Sequence, residues 1–308
     1  MDWDHLRFFL ELARTRKLSA AARRLDVQHT TVSRRIRALE QIVGAPLFSR
    51  SAGEYDVSEV GRRLLPQAEA MEAACRAVEG AGGERAGELS GVVRIGATEG
   101  LGTVVLAPAL AAFALQHPSL VIDLLAVPRH VNLSRREADI VVSLERPVRG
   151  TVVAVRLCDY ALRLYAAPRY LAQHAPIRTR DDLPQHSFIS YIDDLLYSKE
   201  LRYLAELCRP RHYALRSTSV LAQHQAVAQG SGIGVLPAFL ADEDARLQTV
   251  LPEEAGFVRT FWISMPAEYR QVARMQAVWS LLRTIGQSLH ARLQAPAGAT
   301  SGCTDPVQ

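Results

Sequence analysis

The chain has 308 residues, of which 48% are hydrophobic and 22% charged. That is roughly two domains, with enough apolar side chain to build a core without a metal or disulfide staple. The composition excludes a disordered chain. The formal net charge of +4 does not by itself imply a nucleic-acid partner. Its placement says more: residues 1–63 carry twelve basic and eight acidic side chains, and the rest of the chain carries 24 of each.

Leu6, Phe9, Leu10, Leu12 and Ala13 share one helical stripe over 4–16. Ser19 is placed to cap a second short helix carrying Ala21, Ala22 and Leu25. Asp26, Val27 and Gln28 break the chain. A third helix, about 30–42, has Val32, Ile36, Leu39 and Val43 at helical spacing, and Gly44 can end it. Residues 51–58 read as a hairpin tip with a short strand. Ser58 then caps a long helix over 59–80, whose apolar stripe runs Leu64, Leu65, Ala68, Met71, Ala74, Cys75, Val78. The glycine-punctuated stretch 83–91 is the best domain boundary.

The remainder alternates strand and helix. Strands are predicted at 92–97, 121–127, 138–144, 187–192, 213–218, 232–237 and 259–266, and 152–167 reads as two strands meeting near Asp159. Helices are predicted at 103–116, 219–229, 238–242 and 273–293. Residues 294–308 read as a disordered tail.

Three short helices with a tight turn between the second and third, then a hairpin, make a winged helix-turn-helix over 1–58. The third helix suits a DNA major groove, with Thr31, Arg34, Arg35 and Arg37 between its core positions. Gln28, His29, Thr30 and Ser33 lie at its start, and Arg50 would flank the duplex on phosphate. A solvated, arginine-rich helical face is the plainer reading of the same residues.

The segment HLRFFLELARTRKLSAAARRLDVQHTTVSRRIRALEQIVGAPLFSR, followed by VSEVGRRLLPQA, resembles the DNA-binding end of LysR-type transcriptional regulators over about residues 4–70. The S-A-A-A run, the V-S-R-x-I-x-x-L-E helix and the G-x-x-L-F-x-R turn stand at family spacing. The order of elements, and the GIGVLP stretch, extend the resemblance to about residue 290. It implies an N-terminal, mainly α winged helix-turn-helix with a long linker helix, and a C-terminal two-lobed α/β effector domain like a periplasmic binding protein. The oligomerisation helix and hinge would span 59–91 and the effector domain 92–293, with one lobe near 92–158 and 266–293 and the other near 159–265. The chain departs from the family at His29, where proline is common, and in its acidic wing, where Glu54 and Asp56 should repel phosphate.

The stripe on 59–80 is too long for the small domain to cover. Pairing with a second copy buries it, giving a homodimer or homotetramer on a partly palindromic site; packing on the chain's own α/β domain is the alternative. Effector-binding candidates follow the strand ends: Thr98, Glu99, Gly100 and Thr103; Pro128 and Arg129; Ser217, Thr218 and Ser219; with Tyr191 and Asp193 opposite. Hydroxyls and free N–H groups suit a small anion, but Glu99 and Asp193 would repel one unless paired, so cationic and neutral ligands stay open.

No G-x-G-x-x-G after a strand, P-loop, G-x-S-x-G or H-E-x-x-H occurs, so no enzyme is expected. Cys75, Cys158, Cys208 and Cys303 are scattered, so neither a metal nor another cofactor is expected and a redox switch is disfavoured. With no signal peptide and no run of 18 apolar residues, the expected setting is cytoplasmic, with no membrane partner. The expected partners are double-stranded DNA, a small-molecule effector and, for an activator, RNA polymerase. A constitutive regulator whose α/β domain serves only assembly is the alternative.

Overall fold

The computed structural model describes residues 3–51, 53–81, 88–133, 137–147 and 151–294. The expected tail beyond Gln294 and most of the expected linker lie outside them. The chain divides into two compact units, Met1–Glu88 and Leu89–Gln308.

In the first unit, α1 (Trp3–Thr15) buries Leu6, Phe9, Leu10 and Leu12 completely or nearly so. It ends where Arg16 turns into the left-handed region, φ 57°, with its amide donating to Leu12 at 2.8 Å. Helix α2 (Leu18–Arg24) starts two residues earlier than expected. Extended Lys17 is its N-cap and Ser19 lies inside the helix, so the serine does not cap it. Asp26, also left-handed, and the Val27 amide bonded to the Ala22 carbonyl make the tight turn into α3 (His29–Val43).

Gly44 ends α3 at φ 76°, its amide bonded to the Glu40 carbonyl. The Glu40 carboxylate reaches on to accept the Leu47 amide at 2.8 Å, fixing where the hairpin begins. Strands β1 (Phe48–Ser51) and β2 (Glu54–Val57) pair antiparallel, a two-stranded wing where one short strand was expected. Ser58 accepts the Gly61 amide and opens α4 (Glu59–Ala81). Residue 61 must be glycine: a Cβ there would sit 2.5 Å from the Leu47 carbonyl oxygen.

The second unit runs β3 (Gly91–Thr98), a π-helical turn (Leu101–Leu106) leading into α5 (Ala107–Gln116), β4 (Leu120–Val127), β5 (Ile140–Ser143), β6 (Val152–Ala166), α6 (Pro168–Gln173), β7 (Ser187–Ser190), α7 (Leu204–Leu207), β8 (His212–Arg216), α8 (Val220–Ala228), β9 (Ile233–Pro237), α9 (Ala238–Ala241), β10 (Gln248–Val250), β11 (Gly256–Pro266) and α10 (Ala273–Gln294). The strands are ordered β4-β3-β5-β11-β6-β9-β7-β8, with β10 also on β6. Parallel pairs at both ends flank an antiparallel centre.

Residues 152–166 form one continuous strand rather than two. Asp159 does not break it because its carboxylate accepts the Thr260 hydroxyl at 2.7 Å from β11 and pairs with Arg156. β6 and β11 pair from Gly256–Arg163 to Pro266–Val152, with one irregularity between Phe261 and Trp262. These two strands therefore run through both halves of the sheet. Helix α10 lays Val278, Leu282 and Leu289 against the core, as its spacing predicted, and includes Gln294.

Candidate nucleic-acid face and effector pocket

The buried positions Val32, Ile36 and Leu39 fix the rotation of α3, and the opposite face follows from the helical period. Gln28, His29, Thr30, Arg34 and Arg37 are exposed on it; Thr31 and Ser33 are half-buried. Arg35 is different. Its guanidinium lies 3.2 Å from the Asp4 carboxylate, 3.4 Å from the His5 ring and 5.9 Å from the centre of the Phe8 ring, so it holds α3 to α1. Helical spacing separates the two arginines: Arg35 stands three residues after Val32 and four before Leu39, beside the buried seam, whereas Arg34 lies opposite it.

Arg50 is exposed on β1, directly across from Tyr55, with its guanidinium 5.3 Å from that ring. The wing carboxylates are not bare. Arg16 pairs with Glu54 at 3.2 Å and more closely with Asp56, and Lys17 lies 3.7 Å from Glu54. Two cations thus lie against the two anions and offset their charge. The sequence carried no signal for this pairing, because it depends on the left-handed turn at Arg16 and on the bond from the Tyr55 amide to the Arg16 carbonyl.

In the second unit, a cavity of about 30 Å³ opens where the ends of β3, β7 and β9 meet the long strands. Thr98, Glu99, Gly100, Pro128, Tyr191 and Thr218 line it, as the strand-end rule predicted. Gly100 lets the chain pass close to α8: a Cβ there would meet Val220 at 2.9 Å. The remaining wall is apolar or aromatic and was not foreseen: Tyr160, Tyr197, Tyr203, Phe239 and Phe261, with Leu101, Leu144, Leu162, Leu201, Val220 and Pro237. Three of these aromatic residues, Tyr160, Phe239 and Phe261, sit in strands or helices whose pattern reads as ordinary core.

Five candidates do not line the cavity. Thr103 is exposed on the π-helical turn, and Arg129 is paired with Glu137 at 2.8 Å. Asp193 is largely exposed, 3.9 Å from Arg216. Ser217 accepts the Ser219 amide at 3.1 Å, and Ser219 caps α8 by accepting the Ala222 amide at 3.1 Å. Both serines are therefore engaged in ordinary capping.

Glu99 changes the electrostatics. One carboxylate oxygen accepts the Ser219 hydroxyl and the other the Val220 amide, each at 2.9 Å. The start of α8, expected to receive an anion, already holds the chain's own carboxylate. Burial raises the phenol pKa values around it. Tyr160 and Tyr191 lie well above the usual range, and Tyr197 is pushed up to about 12 by burial and the Glu99 charge. These hydroxyls stay protonated at neutral pH.

Among the described residues no group of three His, Cys, Asp or Glu side chains could hold a metal ion, and no helix is long and apolar enough to cross a membrane.

Residues 3–62 match the family described as "Bacterial regulatory helix-turn-helix protein, lysR family", and residues 86–286 match the "LysR substrate binding domain". The Mau operon transcriptional activator of Paracoccus denitrificans is 30% identical over 241 residues, covering 78% of this chain and 81% of that protein. CrgA from Neisseria meningitidis, a LysR-type transcriptional regulator, superposes with a TM-score of 0.55 at 22% identity, covering 94% of this chain and 99% of that one. Full-length LysG from Corynebacterium glutamicum with bound effector Arg superposes with a TM-score of 0.60 at 17% identity, covering 94% and 99%. With both of its units matched, the chain belongs to the LysR family of DNA-binding transcriptional regulators, with a helix-turn-helix and an effector-binding domain.

Proposed function

We propose that the chain binds a specific double-stranded operator and that a small molecule in the cavity beside Glu99 controls that binding. The carrying observation is the α3 face: Gln28, His29, Thr30, Arg34 and Arg37 stand free over a fully buried seam. Short polar groups and fork-shaped guanidinium donors suit base edges and phosphates. Arg50 on the wing supplies a backbone contact beside them.

The working form is a homodimer or homotetramer joined through α4. Met71, on the apolar stripe of that helix, is 42% exposed in the single chain, which supports a partner helix as its cover. The effector acts by favouring one arrangement of the assembly over another. If the protein activates, RNA polymerase is its further partner. It acts by binding rather than by catalysis, and it does so in the cytoplasm, where its DNA is.

Genomic fragments recovered with the purified protein test this. A recurring interrupted palindrome, retarded in a gel while a scrambled copy is not, is the expected result. Equal retardation of both across a salt titration overturns the sequence-specific reading.

A further inference from the structure

Glu99 is the one formally charged side chain lining the cavity. Its carboxylate has two neutral donors, the Ser219 hydroxyl and the Val220 amide, and makes no ion pair among the described residues. Arg259, whose charge acts on the Tyr160 and Tyr203 phenols, is paired with acids of its own, 3.4 Å from Glu200 and 2.7 Å from Glu206. The Glu99 carboxylate thus stands without an ion-pair partner among the described residues at the wall of a mainly apolar space.

Aromatic rings make up much of the rest of that wall. Tyr160 stacks on Phe261 with centroids 4.2 Å apart, and Phe239 packs against both at 5.8 and 6.3 Å. Tyr191 and Tyr203 meet edge to face at 6.3 Å. The Glu99 charge is among the causes that raise the Tyr191 and Tyr197 phenols, so its field reaches across the cavity. Ring faces attract cations, and the attraction grows when water is excluded. An entering carboxylate would find the α8 amide taken and a like charge beside it.

Resting on the reading of this cavity as the effector site, we infer that its ligand is a small organic cation, an ammonium group with apolar substituents, held by Glu99 and the tyrosine rings. At about 30 Å³, close to one water's share of the liquid, the cavity must widen before a ligand of several heavy atoms enters.

Three probes of one shape and different charge decide it: tetramethylammonium, tert-butanol and pivalate. Binding to the full chain is measured by calorimetry and by the shift in thermal unfolding. The cation is expected to bind roughly tenfold or more tightly than either of the others. Glu99→Gln, which keeps an acceptor for the Val220 amide, should weaken the cation about tenfold and leave tert-butanol unchanged. Tyr197→Leu, at a half-buried position, should weaken it several-fold. Pivalate or tert-butanol binding as tightly as the cation overturns the inference, as does an unchanged cation affinity in Glu99→Gln. If such binding is lost in Thr218→Trp, which fills the cavity, the effector-site reading survives and the charge class alone fails. If no probe binds, both fail together.

Discussion

Arg14 and Glu72 form a two-pronged ion pair, Nη1 to Oε1 at 3.1 Å and Nη2 to Oε2 at 2.7 Å, that ties α1 to the long helix α4. Both side chains are about nine-tenths covered. Arg14→Ala removes both prongs from a carboxylate that is about nine-tenths covered, and should cost about 3 kcal/mol of stability. Replacing both with methionine should recover most of that loss, because the desolvation penalty disappears with the charges. Urea unfolding of the single and double variants checks the pair. Equal losses in both would mean the packing, not the charge, was responsible.

Arg34 and Arg35 are neighbours with opposite tasks. Arg34→Ala should weaken operator binding and leave thermal stability unchanged, because the side chain stands free. Loss of a bidentate base contact costs about 1–3 kcal/mol, and loss of a phosphate contact flattens the salt dependence instead. Arg35→Ala should lower the melting temperature, because it removes the tie to Asp4 and the packing on Phe8. Melting curves and gel retardation on both variants separate the two roles; a fall in melting temperature for Arg34→Ala alone would reverse the assignment.

The first unit was largely legible because its elements are short, local and amphipathic, so that Val32, Ile36 and Leu39 orient α3 without help from the rest of the chain. The positions of most strands in the second unit also followed from alternation, but not their order in the sheet, nor β10, α6 and α7. What could not be read was long-range. Asp159 looks like a break until Thr260, a hundred residues on, supplies its hydrogen bond. Glu99 looks like a free carboxylate at a strand end until Ser219 and Val220 arrive from α8. The aromatic wall is invisible in sequence because each ring is an ordinary apolar residue of its own element, and only the pairing of β6 with β11, with α9 packed beside them, brings Tyr160, Phe239 and Phe261 together.

Arg16 should matter to DNA binding without touching DNA. It offsets Glu54 and Asp56 on the wing. Arg16→Ala leaves those carboxylates facing the duplex and should reduce operator affinity several-fold at low salt, with the deficit shrinking as salt screens it. Adding Glu54→Gln and Asp56→Asn to that variant should restore binding. No restoration would show that the loss came from the left-handed turn at residue 16 rather than from charge.

Cys158 and Cys208 should be inert. Burial and the adjacent Asp159 push Cys158 up to about 12, and burial pushes Cys208 up to about 11. The thiolate is the reactive form, so little of it is present at pH 8. A chain with Cys75 and Cys303 changed to serine should take up no iodoacetamide while folded and two equivalents when unfolded. Rapid native labelling would instead put a reactive thiol in this domain and revive a redox role.

Stability should fall in two steps as the solution is acidified. His224 is buried with Nε2 3.1 Å from the Asp244 carboxylate, and Arg246 grips that carboxylate at 2.7 and 2.9 Å. Burial pushes the His224 pKa below its ordinary value despite Asp244, and burial together with His174 does the same to His186. A histidine harder to protonate when folded contributes stability that is complete above about pH 6.5 and is lost as the pH falls through the folded value. Asp244, held at about 2 chiefly by its bonds from Arg246, contributes stability present above about pH 4 and lost towards pH 2. Melting temperature should therefore be highest above pH 7, decline below about pH 6.5, and decline again below about pH 4. Changing His224 and His186 to glutamine together should flatten the first decline and leave the second. A first decline that survives the double change would place its origin outside these two rings.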